Sequence, residues 1–203
     1  MSIKTEITHF FKYAQEEGIE LYNEFSLQHE LGVFLREKMP KHKIQFERNV
    51  DTIFTAKEIE KIEEGMVKSE IDITILNPDG TTYATIELKY PRKKQYPVQM
   101  YAFIEDIKFA EQLQRLGFHH TYCVVLVDDD VFYQPTGRVG TKYEELYKCF
   151  REKFNVPSRF SFPIPKKVFP IELNKAYKID WQGCEWQDVG GKPNKGKFYC
   201  IEI

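Results

Sequence analysis

Asp72, Glu87 and Lys89 fall within one short stretch, IDITILNPDGTTYATIELKYPRKK, residues 71–94. Two carboxylates and an ammonium so placed could share a proton, pair as ions or grip a cation. Which of these applies depends on whether the three side chains face one another. Apolar residues alternate on both sides of Asn77-Pro78-Asp79-Gly80, strong turn chemistry, so the stretch reads as a β-hairpin. With Asp79-Gly80 as a two-residue loop, Pro78 faces Thr81, Ile75 faces Ala84, Ile73 faces Ile86 and Ile71 faces Leu88. On the other face Asp72 then meets Glu87, Thr74 meets Thr85, and Glu70 meets Lys89. A three-residue Pro-Asp-Gly loop would instead set Ile71 against Glu87 and Asp72 against Ile86, scattering the apolar face. Side chains alternate with period two, so that slip is costly and the two-residue register is expected.

Directly opposed side chains stand about 4.5–5.5 Å apart at Cβ, and like charges there repel. A hard divalent ion such as Mg²⁺ relieves that repulsion, because it prefers oxygen ligands and keeps several waters. Lys89, two residues beyond Glu87 on the same face, would place its ammonium beside the ion. There it would meet a phosphate oxygen or an attacking water. A hairpin with a solvated acidic face and a Glu70–Lys89 surface ion pair is written with the same letters. Acid-x-lysine triplets are common, and the pattern alone does not separate the two readings.

Such side chains need a scaffold to aim them. At 203 residues, 42% hydrophobic and 15% aromatic, the chain suffices for one domain with a sizeable core. Residues 5–16 and 24–38 read as helices, the second with Leu27, Leu31, Phe34 and Leu35 in a stripe and Pro40 beyond its end. Residues 43–50 read as a strand. After Pro97, a helix over 98–116 carries Met100, Phe103, Ile104, Ile107, Ala110 and Leu113 on one side and stops at Gly117. Asp106 lies off that side and is expected in solvent. The continuous apolar run at 121–129 suits a buried central strand. A helix over 142–154, an extended crossing segment over 157–170, and strands near 176–187 and 197–203 complete the chain. This order implies an α/β fold, a central mixed β-sheet flanked by helices, with a β-rich C-terminal extension.

Two further features bear on the hairpin. Glu30 borders the apolar stripe of its helix, where a carboxylate either snorkels outward or serves a site between helix and sheet. Arg92-Lys93-Lys94 follows Lys89 directly, as a solvated loop or as counter-charge to a phosphodiester. In order, Glu30 on an N-terminal helix, Asp72 on one hairpin strand and Glu87-Leu88-Lys89 on the next, then the helix 98–116 and the strand 121–129, resemble the PD-(D/E)XK nuclease superfamily. Its restriction-endonuclease-like core has the order α-β-β-β-α-β. The resemblance spans about residues 24–130 of a single domain, 1–203, and leaves 131–203 as an extension it does not explain. Two departures stand out. Glu70-Ile71 precedes Asp72 where the family usually has a proline. Gln99 opens the next helix as in some exonuclease-like branches, but Phe103 stands where their tyrosine is expected.

The resemblance implies a restriction-endonuclease-like fold and a Mg²⁺-dependent nuclease, Mn²⁺ substituting, that acts on DNA as an endonuclease. Asp72, Glu87 and the backbone carbonyl of Leu88 would hold the metal, with Glu30 as an accessory acid. Lys89 would orient the attacking water, and Arg92, Lys93, Lys94 and Gln99 would contact nucleic acid. Cutting both strands of a duplex often goes with a homodimer. An alternative of a different class is a catalytically inactive nucleic-acid-binding or assembly module of the same fold. A plain α/β domain with solvated acids is the third.

The rest of the sequence narrows the setting. A net charge of −2 argues against a generically basic nucleic-acid binder. Cys123, Cys149, Cys184 and Cys200 are widely spaced, with no C-x-x-C, so neither a disulfide framework nor a zinc knuckle is expected. The polar, acidic start MSIKTEITHFFKYAQEEG does not resemble a signal peptide, and no apolar run approaches a membrane span. The expectation is a cytoplasmic protein without a membrane partner. His119-His120 and Asp128-Asp129-Asp130 read as surface residues. Trp181 and Trp186 either stack on bases, with Lys192, Lys195 and Lys197 along a backbone, or pack a terminal hairpin.

Overall fold

The computed structural model describes residues 2–92, 94–134, 140, 143–151, 155–160 and 171–203. Lys93 and residues 161–170 of the expected crossing segment lie outside these. The chain begins with α1 (Ile3–Glu16), α2 (Glu24–Lys38), β1 (Lys43–Asn49) and a short α3 (Ala56–Ile59). The hairpin strands β2 (Glu70–Leu76) and β3 (Thr82–Lys89) follow, then α4 (Tyr96–Leu116), β4 (His120–Val127) and α5 (Glu144–Phe150). Four two-residue strands, β5 (Asn155–Val156), β6 (Arg159–Phe160), β7 (Ile171–Glu172) and β8 (Tyr177–Lys178), lead to β9 (Gln182–Asp188) and β10 (Lys192–Glu202).

The hairpin uses both registers that its sequence allows. At the tip, Gly80 N–H donates to Asn77 C=O at 2.9 Å and Gly80 takes φ 91°, so Pro78 and Asp79 form the corner and glycine the left-handed position. Leu76 accordingly pairs with Thr82, the three-residue register. An irregularity between Ile75 and Leu76 then leaves Tyr83 as an extra residue, and Ile75–Ala84, Thr74–Thr85 and Ile73–Ile86 follow in the expected register. One bulge costs less than turning every side chain of a strand to the wrong face.

The six-stranded sheet has the order β1-β2-β3-β4-β10-β9. Only β3 and β4 run parallel, which a tight turn cannot connect, and α4 supplies the crossover. The C-terminal strands β9 and β10 join this sheet beside β4. The protein is therefore α/β, with a mixed sheet between helices. On one face Phe10 and Phe11 of α1 and Leu27, Leu31 and Leu35 of α2 pack on Ile73, Ile75, Ile86, Leu88 and Val124. On the other, Phe103, Ile104 and Ile107 of α4 and Phe150 of α5 pack on Cys123, Val125 and Tyr199. Trp186 lies in the first core, and Trp181 donates its indole N–H to Phe150 C=O at 2.6 Å. Both tryptophans thus serve packing. Among the described residues no helix is long and apolar enough to cross a membrane.

The long crossover α4 buries more than the stripe its sequence advertises. Met100, Phe103, Ile104, Ile107, Ala110 and Leu113 are inside, but so are Asp106, Phe109, Glu111 and Gln112. Residues 64–67 cover this second side. Gln112 donates to Gly65 C=O at 2.8 Å and accepts from Val67 N–H at 3.0 Å, while Glu64 pairs with Lys108 and Arg115. Asp106 is therefore buried rather than solvated, because the chain lays a loop over the flank that periodicity leaves to water.

Gly196 in β10 permits the closest approach in the sheet. A Cβ there would fall 1.9 Å from the Val127 carbonyl oxygen and 2.9 Å from the Trp186 ring. Gly196→Ala is expected to cost at least about 2 kcal/mol in urea unfolding, since the obstacle is backbone. A cost near zero would mean that β10 can shift off β4.

Candidate active site

Alternation along β3 sends Ile86 and Leu88 toward α1 and α2, and Glu87 and Lys89 beneath α4. Asp72 shares that second face. Just past the Ile73–Ile86 pair, Asp72 Oδ2 accepts from Leu88 N–H at 2.6 Å, and Glu87 Oε1 accepts from Asp72 N–H at 3.4 Å. Glu87 is only 1% exposed, so its charge needs a partner. Lys68, in the loop leading into β2, supplies one: its ammonium donates to Glu87 Oε2 and, at 3.0 Å, to Asp106 Oδ1 on α4. Phe109 lies beneath it, ring centroid 5.3 Å away. Lys89 completes the cluster. Its Nζ lies 3.4 Å from Asp106 Oδ2 and 3.3 Å from Glu24 Oε1, and donates to Leu88 C=O at 2.8 Å.

Local sequence explains how these groups arrive. The Asn23–Ser26 capping box fixes the first turn of α2 and with it Glu24, whose Oε2 accepts from Tyr90 N–H at 3.0 Å. One turn later Gln28 donates to Asp72 C=O at 2.7 Å and to Glu47. Gln112 holds the backbone of Gly65 and Val67, and so delivers Lys68 between α4 and the sheet.

The electrostatics follow from burial. Desolvation raises the Asp72 carboxyl to about 6, although Lys89, Lys68 and the Leu88 N–H pull the other way. Desolvation, then the charge of Asp72, pushes Glu87 well above the usual carboxylate range against the pull of Lys68. Burial opposes the charges of both lysines. Glu87 and Asp106 outweigh it at Lys68, and Asp106, Glu24 and Asp72 outweigh it at Lys89, so both ammoniums hold their protons more tightly than usual.

The structure thus gathers Asp72, Glu87, Lys89 and the Leu88 carbonyl in one place. It does not bring Glu30 to them. Glu30 pairs with His29 at 3.0 Å and lines a surface pocket with Tyr22 and Phe25. Two residues beyond Gln28, it is turned about 200° around the helix from the side that meets the sheet. The α2 acid at the cluster is Glu24. Nor is Arg92 a free cation: its guanidinium contacts Asp128 at 2.5 Å, Asp188 at 2.6 Å and the Tyr90 hydroxyl at 2.6 Å. Lys94 is exposed, and Gln99 is half-buried in the first turn of α4. Phe103, at the family's tyrosine position, is wholly buried against Phe132 and Phe150.

Of the cluster, Lys68 escaped the sequence reading and Asp106 was expected in solvent. Lys68 belongs to no pattern. Asp106 had a signal in Phe103 and Phe109, each three residues away on the helix and both apolar. Elsewhere, a groove of about 860 Å³ runs between Asp128–Asp130 and the β9–β10 ribbon, past Cys184 and Lys195. His120 pairs with Glu202 at 3.1 Å on the surface.

Every acidic donor here is oxygen, which suits a hard divalent cation, and the oxygens already gather around the ammonium of Lys68. The residues present therefore fit Mg²⁺ by donor chemistry. Among the described residues, no three His, Cys, Asp or Glu side chains stand close enough together to hold an ion as they are. Comparison of the chain with protein-family models, curated proteins and solved structures found no match.

A carboxyl raised to about 6 from 3.8 weakens the fold once it ionises. The stability tied to its protonated form is complete below pH 3.8 and is lost as the pH rises through about 6. Asp72→Asn keeps an acceptor for Leu88 N–H and does not titrate. Without divalent ions, its stability relative to wild type is expected to rise by roughly 2–3 kcal/mol between about pH 4 and about pH 7. A difference independent of pH in urea melts would show that Asp72 ionises at no cost to the fold.

Proposed function

We propose that this protein is a Mg²⁺-dependent nuclease of the PD-(D/E)XK kind with a restriction-endonuclease-like core, hydrolysing phosphodiester bonds in DNA as an endonuclease. One observation carries the reading. Asp72 and Glu87 stand on one face of adjacent strands, with Lys89 next on that face and the half-buried ammonium of Lys68 against Glu87. The order α2, β1, β2, β3, α4, β4 agrees with the α-β-β-β-α-β core.

Asp72, Glu87 and the Leu88 carbonyl would hold the metal, which when bound polarises the scissile phosphate and lowers the pKa of an attacking water. Lys89 holds its proton too tightly to serve as a base near neutral pH. Its part is to orient the water and to offset charge growing on the phosphate oxygens. Glu24, bonded to both the Lys89 ammonium and Tyr90 N–H, fixes where that ammonium stands. It is the positioning residue on α2, the place the resemblance gave to Glu30. Lys94 would meet the nucleic-acid backbone from the surface.

A second reading is favoured by Lys68. Its ammonium already neutralises part of the acidic charge, as a structural ion pair does, which suits a nucleic-acid-binding or assembly module of this fold without catalysis.

Nicking of supercoiled plasmid separates the two. With Mg²⁺ or Mn²⁺, wild type is expected to nick. Asp72→Asn and Lys89→Ala should each lose about 100-fold or more while keeping their circular dichroism. Glu24→Gln should lose more than Glu30→Gln. Full activity of Lys89→Ala would refute the assignment, and DNA binding without cleavage in either metal would favour the inactive module. Millimolar Mg²⁺ should also raise the wild-type melting temperature, since a ligand of the native state stabilises it.

A further inference from the structure

Charge counting under α4 leaves a remainder. Asp72, Glu87 and Asp106 bring three carboxylates to the space beside Lys89, whose ammonium cancels one of them. With all three ionised, two negative charges are left over. Lys68 cancels one; a divalent cation would cancel both. Glu24 stands at the rim with its side chain 44% exposed, where water screens it. The ammonium of Lys68 and an ion held by Glu87 would also need the same oxygens, because Lys68 already occupies Glu87 Oε2 and Asp106 Oδ1. The two cations, close together on these carboxylates, would repel each other.

Resting on the metal-site reading above, we propose that Lys68 is a built-in competitor of the divalent cation, and that when the ion enters, Lys68 leaves and Asp106 becomes the third carboxylate of the site. Three features of the chain make this exchange practicable. Lys68 is held through its side chain alone, while Gln112 anchors the neighbouring backbone at Gly65 and Val67, so the ammonium can swing without unfolding the loop. The side chain is 26% exposed, leaving a way out to water. Glu47 and Glu70 form a second acidic pair within electrostatic reach of Lys68 and can receive it. In the absence of metal, Lys68 keeps Glu87 from lying buried and unpaired. The device therefore protects the empty site and sets a threshold of ion concentration for filling it.

The test titrates Mn²⁺ by calorimetry into wild type, Lys68→Met and the double variant Lys68→Met/Asp106→Asn, with melting temperatures read alongside. Lys68→Met is expected to bind Mn²⁺ at least about tenfold tighter than wild type, because no ammonium has to be expelled. It should melt lower without metal and regain much of the loss with it. Adding Asp106→Asn, which restores the charge balance and so protects folding, is expected to weaken binding about tenfold or more relative to Lys68→Met. Binding by Lys68→Met alone would also support the competition. If wild type binds Mn²⁺ and Lys68→Met binds it no more tightly, the competition is overturned while the metal site stands. If the double variant binds as tightly as Lys68→Met, Asp106 is not a ligand and that part is overturned. If none of the three binds, the metal reading falls and this inference with it. Should Lys68→Met fail to fold, Lys68→Gln replaces it in both variants, with the same outcomes.

Discussion

Two like charges beneath a helix are the constraint around which this molecule is arranged. Asp72 and Glu87 come from neighbouring strands, on the sheet face that α4 covers, and water reaches Glu87 hardly at all. Carboxylates in that position demand positive charge close by. Lys68 and Lys89 provide it, and the surrounding elements are shaped to deliver them. The loop before β2 is tied to α4 by Gln112, and the capped first turn of α2 brings Glu24 to Lys89. Asp106 links the two lysines from above.

Packing alone would not call for such an arrangement. A buried ion network is often no more stabilising than well-packed apolar side chains of the same volume, because desolvation consumes most of the attraction. Beside the cluster, Cys123 and Val125 of this sheet face pack on Phe103 and Ile107. The Asp72, Glu87, Lys68 and Lys89 charges lie at the end of the face where β3 leaves the sheet. A cluster rich in oxygen and half open through Asp72, Lys68 and Lys89 is what the proposed cation site would require. That requirement links the fold to the proposed phosphodiester chemistry.

Much of the scaffold followed from local pattern. The stripe on α2, the stripe on α4, the apolar run of β4 and the alternation of the hairpin all reappear as elements near their expected bounds. The expected hairpin register appears from Ile75–Ala84 to Ile73–Ile86, beyond which Asp72 and Glu87 meet the backbone through their side chains. At the turn Gly80 took the left-handed position and Tyr83 absorbed the mismatch. The C-terminal segment that the sequence left as an extension supplies two strands of the central sheet. Its pairing with β4, from Lys197–Val127 to Glu202–Tyr122, spans 70 to 80 residues of chain, and no local period encodes such a meeting.

The site divides along the same line. Asp72, Glu87 and Lys89 could be placed on one face from the sequence, because a strand's period of two is rigid and a hairpin pairs with itself. Glu30 was expected where the structure brings Glu24, since a helix border offers several acids and only packing angles select one. Arg92 looked free because Asp128 and Asp188, which bind it, lie far away in sequence. Lys68 was invisible for the same reason, and Asp106 was placed in solvent because the loop that covers it belongs to no period of its helix. The sequence by itself determined that two acids and a lysine share a surface. Tertiary structure decided that the surface is covered, which cations enter it and which helix closes it, because burial and ion pairing are set by distant segments meeting and not by the spacing of neighbours.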